Sequence, residues 1–188
     1  PNTRLVLLAE NYPGYQNLCK ISSIGYKEGF YYRPRVDYEI LEQYSDHIIA
    51  LSGGIMGDVP WTFINKSKEE AQKKVERLKA IFPDRFYLEM NRTGVVAWDK
   101  INPFLQEMAQ KYSLPLVAGN DVHYVTPDDQ LAQEVLICIG SNKTLQDESR
   151  FRLGSSEFYF KTAEQMQKLF KDVPEAIENT LKVADRCN

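Results

Sequence analysis

Four short apolar runs, at residues 5–9, 48–51, 86–90 and 114–118, punctuate a chain whose remaining hydrophobic positions recur mostly every three or four residues. Continuous runs of this length read as strands buried on both faces of a sheet. The longer period between them reads as amphipathic helices. Pro13 and Gly14 make a turn, after which Tyr15, Leu18, Cys19 and Ser22 fall at helical spacing. Ser67 with Glu70 forms a capping box ahead of Ala71, Val75, Leu78 and Phe82, and Pro83 ends that helix. Asn102 and Pro103 open another helix, carrying Phe104, Leu105, Met108, Ala109 and Tyr112 on one face. Thr126-Pro127-Asp128-Asp129 is a helix start: a capping hydroxyl, a proline at the first position and two carboxylates at the positive dipole end. Leu131, Ala132, Val135, Leu136 and Ile139 follow as the stripe expected to be buried. Thr162 begins a short helix, and Pro174 a last one with Ile177, Leu181 and Ala184 expected inward. Strands alternating with helices predict an α/β fold with a mainly parallel sheet, open or closed into a barrel.

In such folds the strands' C-terminal ends carry the chemistry. Polar residues follow the strands at Glu10, Ser52, Glu89, Asn120, Asp121 and His123. Asp121 and His123 stand two residues apart, so on an extended backbone both side chains leave on the same side. A carboxylate and an imidazole placed this way suit a divalent metal. Taken alone, the pair reads more readily as a simple Asp–His hydrogen bond at a strand end. Ser52-Gly53-Gly54 and Met56-Gly57-Asp58 form a glycine-rich loop, read as a tight turn more readily than as a phosphate cradle. No GxSxG, GxxxxGK or GxGxxG pattern is present, which argues against a nucleophile elbow and the common nucleotide loops. His47 precedes a strand and belongs at the opposite edge from His123. Phe30-Tyr31-Tyr32 with Arg33 and Arg35 could stack bases and neutralise phosphates. The preferred expectation is a loop packing its aromatics against the domain.

Composition narrows the field. The chain has 188 residues, 43% hydrophobic, with net charge −3, enough for one core and unsuited to a large sequence-independent DNA contact. The lysines between 66 and 79 alternate with Glu69, Glu70 and Glu76 as on a solvated helix face. Three scattered cysteines, Cys19, Cys138 and Cys187, read as reduced thiols of a cytoplasmic protein. No stretch has the length and apolarity of a membrane span. The chain opens without Met just before an apolar run, as expected of a piece of something larger.

Several segments, in order, resemble the PHP (polymerase and histidinol phosphatase) domain found in alpha subunits of bacterial DNA polymerase III. They are residues 5–9 with Asn11 and the 14–18 segment GYQNL; the loop 29–37, GFYYRPRVD; Ser52-Gly53-Gly54 through Asp58-Val59; Asn120-Asp121-Val122-His123-Tyr124; and Glu157-Phe158-Tyr159 through Pro174 to Asn188. The resemblance implies part of a distorted (β/α)7 barrel, with a metal cluster at the strand ends and C-terminal helices leading toward a polymerase palm. Residues 1–160 would be the PHP domain without its N-terminal strands, and 161–188 the helical link. Asp121 and His123 match the family's late metal motif, as a remnant of that site. Its early His-x-His ligands lie ahead of Pro1. Gly54 stands where metal-competent relatives carry Cys, Arg4 where they often carry His, and Gly119 where a hydroxyl residue is more usual. The resemblance assigns no catalytic residue and no cofactor to this segment, a possible divalent metal to the intact PHP site, and magnesium to the palm. It implies a DNA-directed DNA polymerase (a nucleotidyltransferase) as parent, with this segment inactive by itself. The implied role is scaffold and docking site for the proofreading exonuclease among the polymerase III holoenzyme subunits. DNA is held through the parent rather than tightly by this segment, and no membrane is involved. The alternatives are a metal-dependent phosphoesterase or 3′-5′ exonuclease of the PHP family, and an unrelated α/β enzyme that shares only the Asp-x-His ending.

Overall fold

A computed structural model describes residues 2–188. Its four-stranded sheet has the order β1 (Val6–Ala9), β2 (Ile48–Leu51), β3 (Phe86–Asn91), β4 (Leu116–Gly119). Helices α1 (Tyr12–Lys27) and α2 (Tyr38–Gln43) connect β1 to β2. Helices α3 (Asp58–Asn65) and α4 (Lys68–Ile81) lead to β3, and α5 (Trp98–Tyr112) leads to β4. After β4 come α6 (Gln130–Ser141), α7 (Ala163–Leu169) and α8 (Pro174–Arg186). All four apolar runs are strands of one sheet, and the α/β class holds.

The two faces of the sheet follow from the two-residue period of its strands. Ile48, Ala50, Phe86, Leu88, Met90 and Leu116 meet the inward stripes of α4 (Ala71, Val75, Leu78) and α5 (Ile101, Leu105, Met108) in the main core. Ile49, Tyr87 and Val117 point the other way, onto Val183 of α8. Arg92 pins the segment between α7 and α8: its guanidinium holds both Asp172 oxygens, at 2.6 and 2.7 Å, and the Leu169 carbonyl, and lies over the buried Phe170 ring.

One strand runs against expectation. β2–β3 and β3–β4 are parallel, but β1 pairs antiparallel with β2, Val6 opposite Leu51 and Ala9 opposite Ile48. A single crossover helix would return the chain to its starting edge. Here there are two traverses. α1 starts beside His47, whose carbonyl crowds Gly14, and runs away from it. α2 starts at Tyr38, bonded to Asp58 just past β2, and leads back toward His47. Glu10 therefore lies at the sheet's opposite edge from Ser52, Glu89 and Asp121, and carries Arg186 instead.

Four further expectations are corrected. α5 begins at Trp98, with Pro103 inside it; the buried Trp98 and Ile101 anchor a turn ahead of the proline. The stripe of α6 is not buried: Leu131, Leu136 and Ile139 are 63%, 61% and 71% exposed, and Cys138 is the helix's one buried residue. On α8 Ile177 packs against the main core as expected, but the buried residues are Ala176, Asn179 and Val183, while Leu181 and Ala184 face outward. Asn179 takes an inward place because its amide donates to the Leu116 carbonyl at 2.7 Å. Lastly, Phe30, Tyr31 and Tyr32 do not pack on the domain but stand exposed. Ser67 caps α4 by accepting from the Glu70 amide. The Glu70 carboxylate pairs with Lys66.

Candidate functional site

The parallel strands place Ser52, Glu89, Asn91 and the segment after Gly119 along one edge. Chain geometry fixes each. The Glu89 amide donates to the buried Ser52 hydroxyl at 2.9 Å, holding β3 against the end of β2. The Asn91 side-chain amide donates to Glu89 Oε1 at 2.9 Å. Gly119 makes that pair possible. A Cβ there would lie 2.8 Å from Asn91 Oδ1 and closer still to Glu89 Oε1. Burial holds the Glu89 carboxyl above its ordinary value; the Asn91 bond pulls it down, and the charge of Asp121 adds to the rise.

β4 ends at Gly119, so Asp121 and His123 lie on the loop beyond it, Asp121 at φ 46°. The structure nevertheless brings the pair together, His123 Nε2 3.4 Å from Asp121 Oδ1. The His123 amide donates to the Phe158 carbonyl and its ring meets the Phe158 ring edge-on. His47 is at the opposite edge, bonded to Asn11.

Three residues at this edge carried no signal in the sequence. Asn91 and Thr93 are buried, and each leaves a side-chain oxygen without a partner among the described residues. Lys161 is buried too, its ammonium 3.4 Å from both the Glu157 carboxylate and Asn120 Oδ1 and over the Tyr159 ring. The segment from Glu157 to Lys161 is not helical, and the lysine folds back to donate to the Glu157 carbonyl.

These donors do not amount to a closed metal site. A structural zinc takes four ligands and a catalytic one three. Among the described residues no group of three His, Cys, Asp or Glu side chains is placed to share an ion. Glu89, the next carboxylate, is engaged by the Asn91 side-chain amide at 2.9 Å. The buried Lys161 ammonium beside Asn120 opposes a second cation next door. Gly54 offers no ligand, and an added Cβ there meets no atom within 4 Å. The backbone of Arg4 is bound to the same turn, its amide donating to Met56 and its carbonyl accepting from Asp58.

Comparison with known proteins shows what the chain is similar to. Residues 1–93 match the PHP domain. The chain is 42% identical to DNA polymerase III subunit alpha of Borreliella burgdorferi over 98% of its length. It is 40% identical to that subunit of Treponema pallidum and of Thermus aquaticus, again over 98% of the chain. The chain carries a PHP domain. It takes the form that domain has in DNA polymerase III alpha subunits, as the PHP match and the relatives agree. It spans about a sixth of the length of these relatives, 15–16%. Among the described residues no helix is long and apolar enough to cross a membrane, and Cys19, Cys138 and Cys187 are unpaired.

Proposed function

We propose that this PHP segment is a structural and docking module of a replicative DNA polymerase, with no catalysis of its own, and that it contributes to docking the separate proofreading exonuclease. The observation that carries the reading is the outward apolar stripe of α6, with Leu131, Leu136 and Ile139 each more than 60% exposed. Contiguous exposed apolar surface of this kind marks a protein contact. The parent would be a DNA-directed DNA polymerase of the cytoplasm, holding DNA and palm magnesium through its other domains and working among the holoenzyme subunits. The four strands would form part of a distorted (β/α)7 barrel. Residues 1–160 would be the barrel portion and 161–188 the link toward the palm. Asp121 and His123 would be the remnant of the family's metal site.

The test is capture of the proofreading exonuclease by the full-length polymerase subunit carrying Leu136→Asp and Ile139→Asp. Central apolar contacts each cost more than about 1 kcal/mol when lost, so binding should weaken at least tenfold. Unchanged capture from a subunit that has lost solubility or stability would give the stripe to the polymerase's own domains. The second reading is a metal-dependent phosphoesterase or 3′-5′ exonuclease, supported by the Asp121–His123 contact. Hydrolysis dependent on Mn²⁺, Mg²⁺ or Zn²⁺ that disappears in Asp121→Asn would favour it.

A further inference from the structure

A wide groove lies away from the strand-end site. It has a volume of about 870 Å³ and runs between β1, the loop after α1, and helices α3 and α4. Its lining is cationic although the chain is acidic overall: Arg4, Arg33, Arg35, Lys66 and Lys74 outnumber Asp37 and Asp58 there, with Glu70 pairing with Lys66 at 3.2 Å from outside the lining. Both carboxylates are already committed. Asp37 caps α2 through the Ile40 amide, and Asp58 takes the hydroxyls of Thr3 and Tyr38 as well as Lys74 at 3.4 Å.

The aromatic loop forms the rim of this groove, and it is built rather than loose. Gly29 packs so closely on the Arg35 carbonyl that no side chain fits there. The Tyr31 amide donates to the Arg33 carbonyl across the turn. Tyr32 sits at its apex with φ 60°, a left-handed conformation that costs a bulky residue energy and is held only where the surroundings impose it. The Arg35 guanidinium lies 4.9 Å from the Tyr31 ring centre, and Tyr31 meets Tyr32 edge-on at 4.6 Å. The result holds two aromatic rings, 60% and 84% exposed, at fixed positions beside a basic track.

We propose that this groove binds single-stranded nucleic acid, with Tyr31 and Tyr32 stacking bases and Arg33, Arg35, Lys66 and Lys74 contacting phosphates. Fixed aromatic faces beside a cationic groove are what sequence-tolerant single-strand binding requires. A duplex keeps its bases stacked inside and offers these rings nothing but backbone. The inference stands apart from the docking role, which rests on α6 at the other end of the chain sequence.

The experiment is fluorescence anisotropy of a labelled mixed-sequence 12-nucleotide single strand titrated with the 188-residue chain. An excess of about two groove cations, Glu70 counted with Asp37 and Asp58, gives a single-strand salt slope of about −1.4, hence roughly 7-fold weaker binding at 200 mM than at 50 mM salt. Tyr31→Ala with Tyr32→Ala should weaken binding about tenfold, and Tyr31→Phe with Tyr32→Phe should restore it. Arg33→Ala with Arg35→Ala should weaken binding and flatten the salt slope. Aromatic variants that bind like the parent overturn the proposal. So does a duplex that binds as tightly as the single strand. An acidic peptide of equal charge that displaces the strand at equal concentration also overturns it, reassigning the groove to a protein segment.

Discussion

Gly119→Ala measures how closely the strand-end site is packed. Gly119 closes β4, where alanine should by itself favour the strand by about 0.5–1 kcal/mol over glycine. The added methyl, however, enters the space of Glu89 Oε1 and comes within 2.8 Å of Asn91 Oδ1. Asn91 is fully buried and one of its polar atoms is already unpartnered, so it cannot retreat without losing more. Glu89 is the flexible end and must give way. Its departure strips the Asn91 amide of its 2.9 Å acceptor. Leaving a buried donor unpaired costs about 1–3 kcal/mol, so the net loss is about 1–2 kcal/mol. For a chain of this length that is a fall in melting temperature of about 3–6 °C, read by circular dichroism with urea midpoints alongside. Because Glu89→Ala removes the same hydrogen bond, the double variant should cost at least about 0.5 kcal/mol less than the sum of the two singles. A Gly119→Ala protein melting within 1 °C or so of the parent, or strictly additive losses, would refute the reasoning.

Other outcomes follow from the same geometry. Glu89 favours its proton in the fold, chiefly through burial, so its ionisation opposes folding. That penalty is absent below the unfolded carboxyl's value near 4.5 and complete above the raised folded value. Glu89→Gln should therefore have the higher urea midpoint at pH 7, with the gap closing toward pH 4; a constant gap would count against a titrating Glu89. Arg92→Ala loses two charge-assisted bonds to half-exposed Asp172, the Leu169 carbonyl bond and the Phe170 face. Discounting for exposure, it should cost about 1–3 kcal/mol by urea unfolding, more than Asp172→Asn. Elemental analysis of chelator-free protein should find substoichiometric zinc and manganese. Stoichiometric metal lost in His123→Ala would show that two visible ligands recruit others.

The fold was legible where burial is continuous. Ile48–Leu51 and the other three runs could be strands and little else, since each is too short for a helix and apolar on both faces. Strand direction was not legible, because an apolar run reads the same either way. The reversal of β1 depends on two traverses through α1 and α2, and α2 has just six residues. Periodicity also failed on α6 and α8, since an amphipathic stripe says which side of a helix is apolar and nothing about what lies against it. At the site, the Asp121–His123 spacing pointed to a real contact. Asn91, Thr93 and Lys161 left no trace, because isolated polar residues acquire meaning only when folding buries them.

The bond between Arg186 and Glu10 joins residues 176 positions apart. It anchors the helix that covers Ile49, Tyr87 and Val117. On a ribosome adding about 5–20 residues per second, the sheet's second face would wait roughly 10–35 s for its cover after Glu10 is made. As each of the three strands emerges, its apolar side chains on this face stay uncovered until α8 is made. Biogenesis, rather than the finished fold, is thus where substitutions in α8 should be felt first: as lost yield and chaperone retention, before any change in the stability of the molecules that escape.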